Sequence, residues 1–224
     1  PEGILLCLSK LDRILDIDAL ARTARVQPGA SNLSISEAAG KHRLYYAPDP
    51  SSQIACTIGG NVSENSGGVH CLKYGLTVHN ILSLNILTVE GEELSIGSMG
   101  LDSPGYDLMA LLTGSEGLLA IITEVTVRLL PLPERAQVVM AGFDNVSTAG
   151  DAVGAIIAAG IIPAGLEMMD RLAVQAAEDF AHAGYPREAA AILLCEVDGT
   201  SEEVAQHTQK VARLFEEHGA TSVT

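Results

Sequence analysis

Between Cys56 and Gly75 the chain reads CTIGGNVSENSGGVHCLKYG: five glycines and four Asn or Ser residues against one acid and one lysine. Each glycine in ordered structure costs about 0.5–1 kcal/mol relative to alanine, so so dense a run needs a use for bare backbone. Gly59, Gly60 and Asn61 can turn successive backbone N–H groups toward one point. Such a nest binds an anion, a diphosphate above all, through dipoles instead of lysines. A glycine-rich turn with no ligand is the competing reading, and the residues alone leave both open. In the nest reading Gly60 adopts a positive φ, a region that valine disfavours.

Other chemistries lack their residues. Gly40-Lys41 is followed by His42 where a P-loop needs Ser or Thr, and no Gly-x-Gly-x-x-Gly occurs in the chain. Gly114-Ser115-Glu116-Gly117 is one residue short of a nucleophile elbow. Cys7, Cys56, Cys71 and Cys195 form no Cys-x-x-Cys pair, which fits reduced thiols in a cytoplasm better than a disulfide scaffold or a zinc site. The sequons at Asn32, Asn61 and Asn145 are then chance matches.

The elements that must position the glycine run follow from periodicity. Residues 4–8 read as a buried strand, and 14–18 and 23–27 as strands ending at the Pro28-Gly29 turn. Ser31 caps a helix reaching about Gly40, and 45–53 is a proline-held loop. Residues 81–97 form a hairpin around Glu90-Gly91-Glu92, 103–114 a short helix, and 118–130 a strand stopped by Pro131 and Pro133. Beyond that point strands at 136–143, 165–169, 189–197 and 220–224 alternate with helices at 146–160, 170–183 and 201–218. The alternation predicts a ferredoxin-like second domain, cut short in mid-element.

At 224 residues, 47% hydrophobic and 18% charged, the composition is that of a globular, soluble chain. A net charge of −15 excludes a nucleic-acid partner and a polybasic grip on an anionic membrane. The greasiest stretch, 156–162, contains Gly160 and precedes Pro163, and is too short to span a bilayer.

Two separated stretches, PDPSSQIACTIGGNVSENSGG at 48–68 and GYDLMALLTGSEGLLAIITEVTVRLLPLPE at 105–134, resemble the FAD-linked oxidases of the vanillyl-alcohol oxidase and cresol methylhydroxylase type. The similarity extends through GLEMMD at 165–170, AAEDFAHAGYP at 176–186 and AILLCEVDG at 191–199. It implies an α+β fold: an FAD-binding domain of the cresol methylhydroxylase type over residues 1–134, without its first pyrophosphate loop, then the start of a ferredoxin-like substrate or cap domain over 135–224. The implied cofactor is FAD, held non-covalently with its pyrophosphate on backbone amides. By match to the motif, Asp49, Ser51, Thr57, Ile58, Gly59, Gly60 and Asn61 line the pyrophosphate and ribityl chain. Asn65, Ser66, Gly67 and Gly68 lie beside the ring. Glu116, Gly117, Ile121 and Ile122 meet the adenosine end, the two isoleucines through their main chain. Ala120 stands where many members of the family carry glycine.

The resemblance further implies a FAD-dependent 2-hydroxyacid dehydrogenase. Hydride would pass from the α-carbon of glycolate or a related D-2-hydroxy acid to the flavin, and electrons onward to an acceptor other than oxygen. A D-lactate or D-2-hydroxyglutarate dehydrogenase, and a non-catalytic flavin-binding or scaffold subunit of the same complex, are the alternatives. Implied partners are other glycolate oxidase subunits, one flavoprotein-like and one iron–sulfur, with no nucleic acid. The implied location is the cytoplasm, peripheral at the inner membrane through those subunits. The chain opens at Pro1 without methionine and is read as a fragment. No catalytic or metal-ligating residue is therefore assigned in it. The base, the histidine-rich motifs and any divalent metal are expected after Thr224, and the fragment alone is expected to be inactive.

Overall fold

The computed structural model describes residues 3, 5–98 and 105–224, and its contacts divide the chain into Pro1–Leu132 and Pro133–Thr224. In the first unit Ile14–Asp18 (β1) and Thr23–Val26 (β2) form an antiparallel hairpin. The Gly29 N–H then bonds to Leu11 O, and a Cβ on Gly29 would lie 2.6 Å from Leu8 O, so only glycine lets the chain turn this tightly. Ser31 accepts from Ser34 N and caps Asn32–Gly40 (α1), as its sequence predicts. Leu44–Tyr45 (β3) leads into the proline loop, followed by Ile58–Glu64 (α2), Cys71–Tyr74 (α3) and Thr77–Asn80 (α4). Ile81–Leu87 (β4) and Glu93–Gly97 (β5) make the expected hairpin, with Gly91 at φ 83° in its turn. Leu108–Leu112 (α5), Ile121–Arg128 (β6) and Leu130–Pro131 (β7) complete the unit.

The five-stranded sheet runs β1-β2-β6-β4-β5, antiparallel throughout, while β3 pairs with β7. Alternation along the strands gives it two unlike faces. Ala24, Val26, Leu84, Ile86, Val125 and Val127 form a core with Ile35 and Ala39 of α1 and Ile58 and Val62 of α2. Polar residues of the alternate register join the strands in a chain of hydrogen bonds: Ser95 Oγ donates to Asn85 Oδ1 at 2.8 Å, and Asn85 Nδ2 and Arg25 Nη1 each donate to Glu124 Oε2 at 3.1 Å.

Three expected elements differ. Residues 5–8 are not a buried strand: Leu5 is 95% exposed, no described strand pairs with them, and the Leu8 carbonyl instead takes the Leu11 N–H of a turn; Ile4 lies outside the described residues. The strand expected from 118 starts at Ile121, because Gly117 at φ 70° and exposed Leu118 and Leu119 belong to a turn. The helix expected over 103–114 is confined to α5, which starts where Asp107 accepts from Ala110 N, and Ser103 and Pro104 lie outside the described residues.

The second unit comprises Arg135–Phe143 (β8), Val146–Ala158 (α6), Gly165–Asp170 (β9), Arg171–Ala181 (α7), Ala191–Gly199 (β10), Ser201–Glu217 (α8) and Ser222–Val223 (β11). Its antiparallel sheet runs β11-β8-β10-β9. Taken in chain order that is 4-1-3-2, the ferredoxin-like arrangement, with α7 added between the second and third strands. A capping box between Thr200 and Glu203 starts α8. Ala191, Leu193, Cys195 and Val197 of β10 face the core shared with α6 and α8, while the intervening Ile192 packs against Val174 of α7. Burial pushes the Cys195 thiol up to about 12, which leaves it protonated and inert near neutrality. Phe143 and Phe215 meet edge to face at 6.0 Å in that core, both fully buried. Replacing Phe215 by Ala is expected to cost about 3–5 kcal/mol. In urea unfolding of the full-length protein the transition of this unit should move to lower denaturant, and an unchanged midpoint would contradict the packing described.

Candidate functional site

A cleft of about 280 Å³ opens in the first unit where α2 begins, walled on one side by Pro28, Thr57, Gly59, Gly60 and Ser63 and on the other by Gly117, Ala120, Ile121 and Ile122, with Leu6 and Leu8 at its edge. That volume is near the lower end of small-molecule sites, roughly 300–1,000 Å³. None of these lining residues is charged.

Backbone bonding explains the first wall. Ser31 and Thr57 form an isolated antiparallel bridge, and Thr57, in extended conformation, caps α2 by accepting from Gly60 N at 3.3 Å. Ile58 N bonds to Ala30 O at 2.9 Å and Gly59 N to Pro28 O at 2.8 Å, which seats the helix start on the Pro28-Gly29 turn. A Cβ on Gly59 would come within 2.6 Å of Pro28 Cβ, so this glycine serves close packing. A Cβ on Gly60 would meet only Thr57 Oγ1, at 3.3 Å.

The expected nest is thereby corrected. Gly59, Gly60 and Asn61 are the first turn of a helix, none at positive φ, and the Gly59 and Asn61 N–H groups are taken by Pro28 O and Thr57 O. The first-turn amides of a helix lack intrahelical partners, and here the Pro28-Gly29 turn and the Thr57 cap take them, whereas a nest would leave them free. The Gly60 N–H, held only by the 3.3 Å bond to a threonine hydroxyl, is the one best placed to turn to a ligand.

The facing wall is tied to the other end of α2. Gly114 N and Glu116 N bond to Val62 O and Ser63 O at 2.8 and 2.9 Å. Glu116 and Gly117 both adopt the left-handed region, at φ 58° and 70°, which turns the chain into β6. Ile121 and Ile122 then pair with Leu87 and Ile86 of β4.

The cleft thus collects Thr57, Gly59, Gly60, Gly117, Ile121 and Ile122 of the residues the sequence singles out, with Glu116 adjoining through Ser63. Ile58 is a core residue. Asn61 is 3% exposed, and its Nδ2 is sealed from solvent without a partner among the described residues. Ser51 is exposed in a turn and lines neither the cleft nor the cluster described next. Asp49, Asn65, Ser66, Gly67 and Gly68 form a second cluster. Asn65, at φ 53°, ends α2 and accepts from Val78 N at 3.0 Å; Ser66 O accepts from Thr77 N and Oγ1 at 3.1 and 2.8 Å. A Cβ would lie 2.7 Å from Leu76 Cδ2 on Gly67 and 2.3 Å from Asp49 O on Gly68. Asp49 spends both oxygens on His70: Oδ1 accepts its N–H at 3.3 Å and Oδ2 faces Nδ1 at 2.6 Å. Nearby, burial pushes the Tyr46 phenol up, and its hydroxyl sits beside Thr77 outside hydrogen-bonding geometry.

Pro28 and Ser63 are lining residues that sequence reasoning does not reach. The turn at Pro28 is legible, but not that it meets α2, about thirty residues later. Among the described residues no cluster of three or more His, Cys, Asp or Glu is placed to hold a metal. The uncharged lining and the open space over Gly60 and Gly117, where a Cβ would meet nothing closer than 3.3 and 3.8 Å, fit a ligand bound through backbone and apolar contact, as part of a dinucleotide would be.

Residues 1–97 match the family of FAD binding domains, and residues 132–224 match the C-terminal domain of FAD linked oxidases. The chain is 61% identical over 222 residues to glycolate oxidase subunit GlcD of Escherichia coli K12, covering 99% of this chain and 44% of that protein. It is 41% identical over 222 residues to the Bacillus subtilis protein of the same name, covering 99% and 47%. The D-lactate dehydrogenase of Anaerostipes hadrus is 31% identical over 229 residues, 99% of this chain and 48% of that one. A solved structure of alkyldihydroxyacetonephosphate synthase matches with a TM-score of 0.81 over 95% of this chain and 41% of that one; at 20% identity it shows the fold alone. The chain spans about half the length of the curated relatives it matches.

Gly68 is the least replaceable glycine of the second cluster. Gly68→Ala drives a methyl onto a backbone carbonyl that cannot step aside, an overpacking expected to cost about 1–3 kcal/mol. Thermal unfolding of the full-length variant should start at lower temperature; an unshifted transition would show that this loop is free to move.

Proposed function

The chain belongs to the FAD-linked oxidases, and from that membership we propose that it holds the FAD of a 2-hydroxyacid dehydrogenase acting on glycolate. The carrying observation is the uncharged cleft in which the glycine-bearing start of α2 faces Gly117, Ile121 and Ile122. FAD supplies the two-electron chemistry, accepting hydride from the α-carbon of the hydroxy acid. The protein's part is to bind and orient it. Gly60 and Gly117 leave room at the backbone, and Thr57 offers a hydroxyl at the same helix start. Asp49 has both oxygens turned to His70, which keeps a carboxylate from facing a diphosphate of the same sign.

Identity of 61% and 41% to glycolate oxidase subunits supports glycolate as substrate and other subunits as partners. In this reading those are a flavoprotein-like and an iron–sulfur subunit, carrying electrons to an acceptor other than oxygen. Four free cysteines support a reducing compartment, hence the cytoplasm, with attachment to the inner membrane through the partners. A second reading, oxidation of D-lactate, is supported by the relative from Anaerostipes hadrus.

The full-length protein, mixed anaerobically with glycolate, D-lactate or D-2-hydroxyglutarate, should lose its visible flavin absorbance fastest with glycolate. Faster bleaching by D-lactate would favour the second reading, and a flavin that none of the three bleaches would refute both. Gly60→Val should fold, since valine is no poorer a helix former than glycine. Its side chain enters the cleft, so FAD content on purification should fall well below wild type. Equal content would remove the cleft from the cofactor site.

A further inference from the structure

The loop after α2 is fastened to the proline loop by two contacts with matching spacing. Tyr45 and Tyr74 meet edge to face at 6.3 Å with their rings 88° apart, and four residues inward Asp49 meets His70 at 2.6 Å. The two segments therefore run antiparallel. Just beyond the second contact Gly68 backs onto the Asp49 carbonyl so closely that no side chain fits. The 45–49 segment is itself fixed to α1: Tyr46 N bonds to Ser36 Oγ at 3.0 Å and Asn32 Nδ2 to Pro48 O at 2.9 Å. One edge is thus rigid, and the other is a glycine-containing loop with little apolar side chain of its own. His70 and Asp49 are only 26% and 21% exposed at their side chains, so water competes weakly for their bond.

We infer that Asp49 and His70 are positioning residues, a clasp that sets where residues 65–68 lie and so orders the loop before FAD arrives. The inference rests on the proposed reading of this unit as the FAD holder. Both Asp49 oxygens are turned to His70, so the pair acts by holding the loop. Their contribution is pre-organisation: a loop already ordered costs less entropy to order on binding. The clasp also accounts for an acid so close to a diphosphate site, because its charge is committed to His70.

The test uses the full-length protein in His70→Ala, Asp49→Ala and the double variant, with far-UV circular dichroism to verify folding. Each single change should weaken FAD binding about tenfold, and the double change should weaken it no more than the worse single, as for two partners of one bond. His70→Gln, which keeps a side-chain donor, should recover most of the affinity. In FAD-free protein, tryptic cleavage after Lys73 should quicken in both alanine variants and return toward wild type in His70→Gln. Should the alanine variants fail to fold, Asp49→Asn, which keeps the shape but not the charge, carries the same expectations at smaller size. Unchanged FAD affinity and unchanged cleavage in folded variants, or additive losses in the double variant, would overturn the clasp. A wild-type protein that binds no FAD would instead overturn the reading of the unit, while the cleavage rates would still decide whether the clasp holds the loop.

Discussion

Three backbone hydrogen bonds join the chain around the start of α1 to that around the start of α2: Ile58 N to Ala30 O, Gly59 N to Pro28 O, and Asn32 N to Cys56 O. The first unit depends on this seam. It holds α1 and α2 over one apolar core, to which Ile35, Ile58 and Val62 contribute. It also leaves the Gly60 end of the helix facing outward, with β6 opposite. Without it the two glycines would be a loose turn, and the cleft would have one wall.

Seen from that seam, the glycines of one short run do three different jobs. Gly59 permits helix and turn to touch, Gly68 permits two loops to touch, and Gly60 has open space in front of it. Their common property is the missing Cβ; Gly59 and Gly60 both line the cleft, but only at Gly60 would a side chain find open space. A glycine-rich run is thus a poor guide to which glycine meets a ligand, because close approach of backbone to backbone and of backbone to ligand select the same residue.

The ordering forces of the second unit are conventional. β10 sits at the centre of the sheet and is apolar on both faces, toward α6 and α8 on one and α7 on the other. Its buried thiol at Cys195 is held protonated by that burial.

What the sequence determined by itself was everything decided within a few residues. The Ser31 cap, the Glu90-Gly91-Glu92 hairpin turn and the alternating elements after Pro133 all follow from local propensity and period, and all appear where expected. The family resemblance added the cofactor and drew attention to Thr57, Gly60 and Gly117, which the fold brings to one cleft. Tertiary structure decided the rest. Residues 5–8 have the apolar run of a strand but no described strand beside them, and a ladder needs two partners. The helix at 58–64 starts where it does because carbonyls about thirty residues earlier took the Ile58 and Gly59 amides. Asp49 turned to His70, and not toward a ligand, because the two loops that carry them pack through Gly68. Such outcomes rest on contacts between segments far apart in the chain, and local pattern holds no information about which distant group will be within 3 Å.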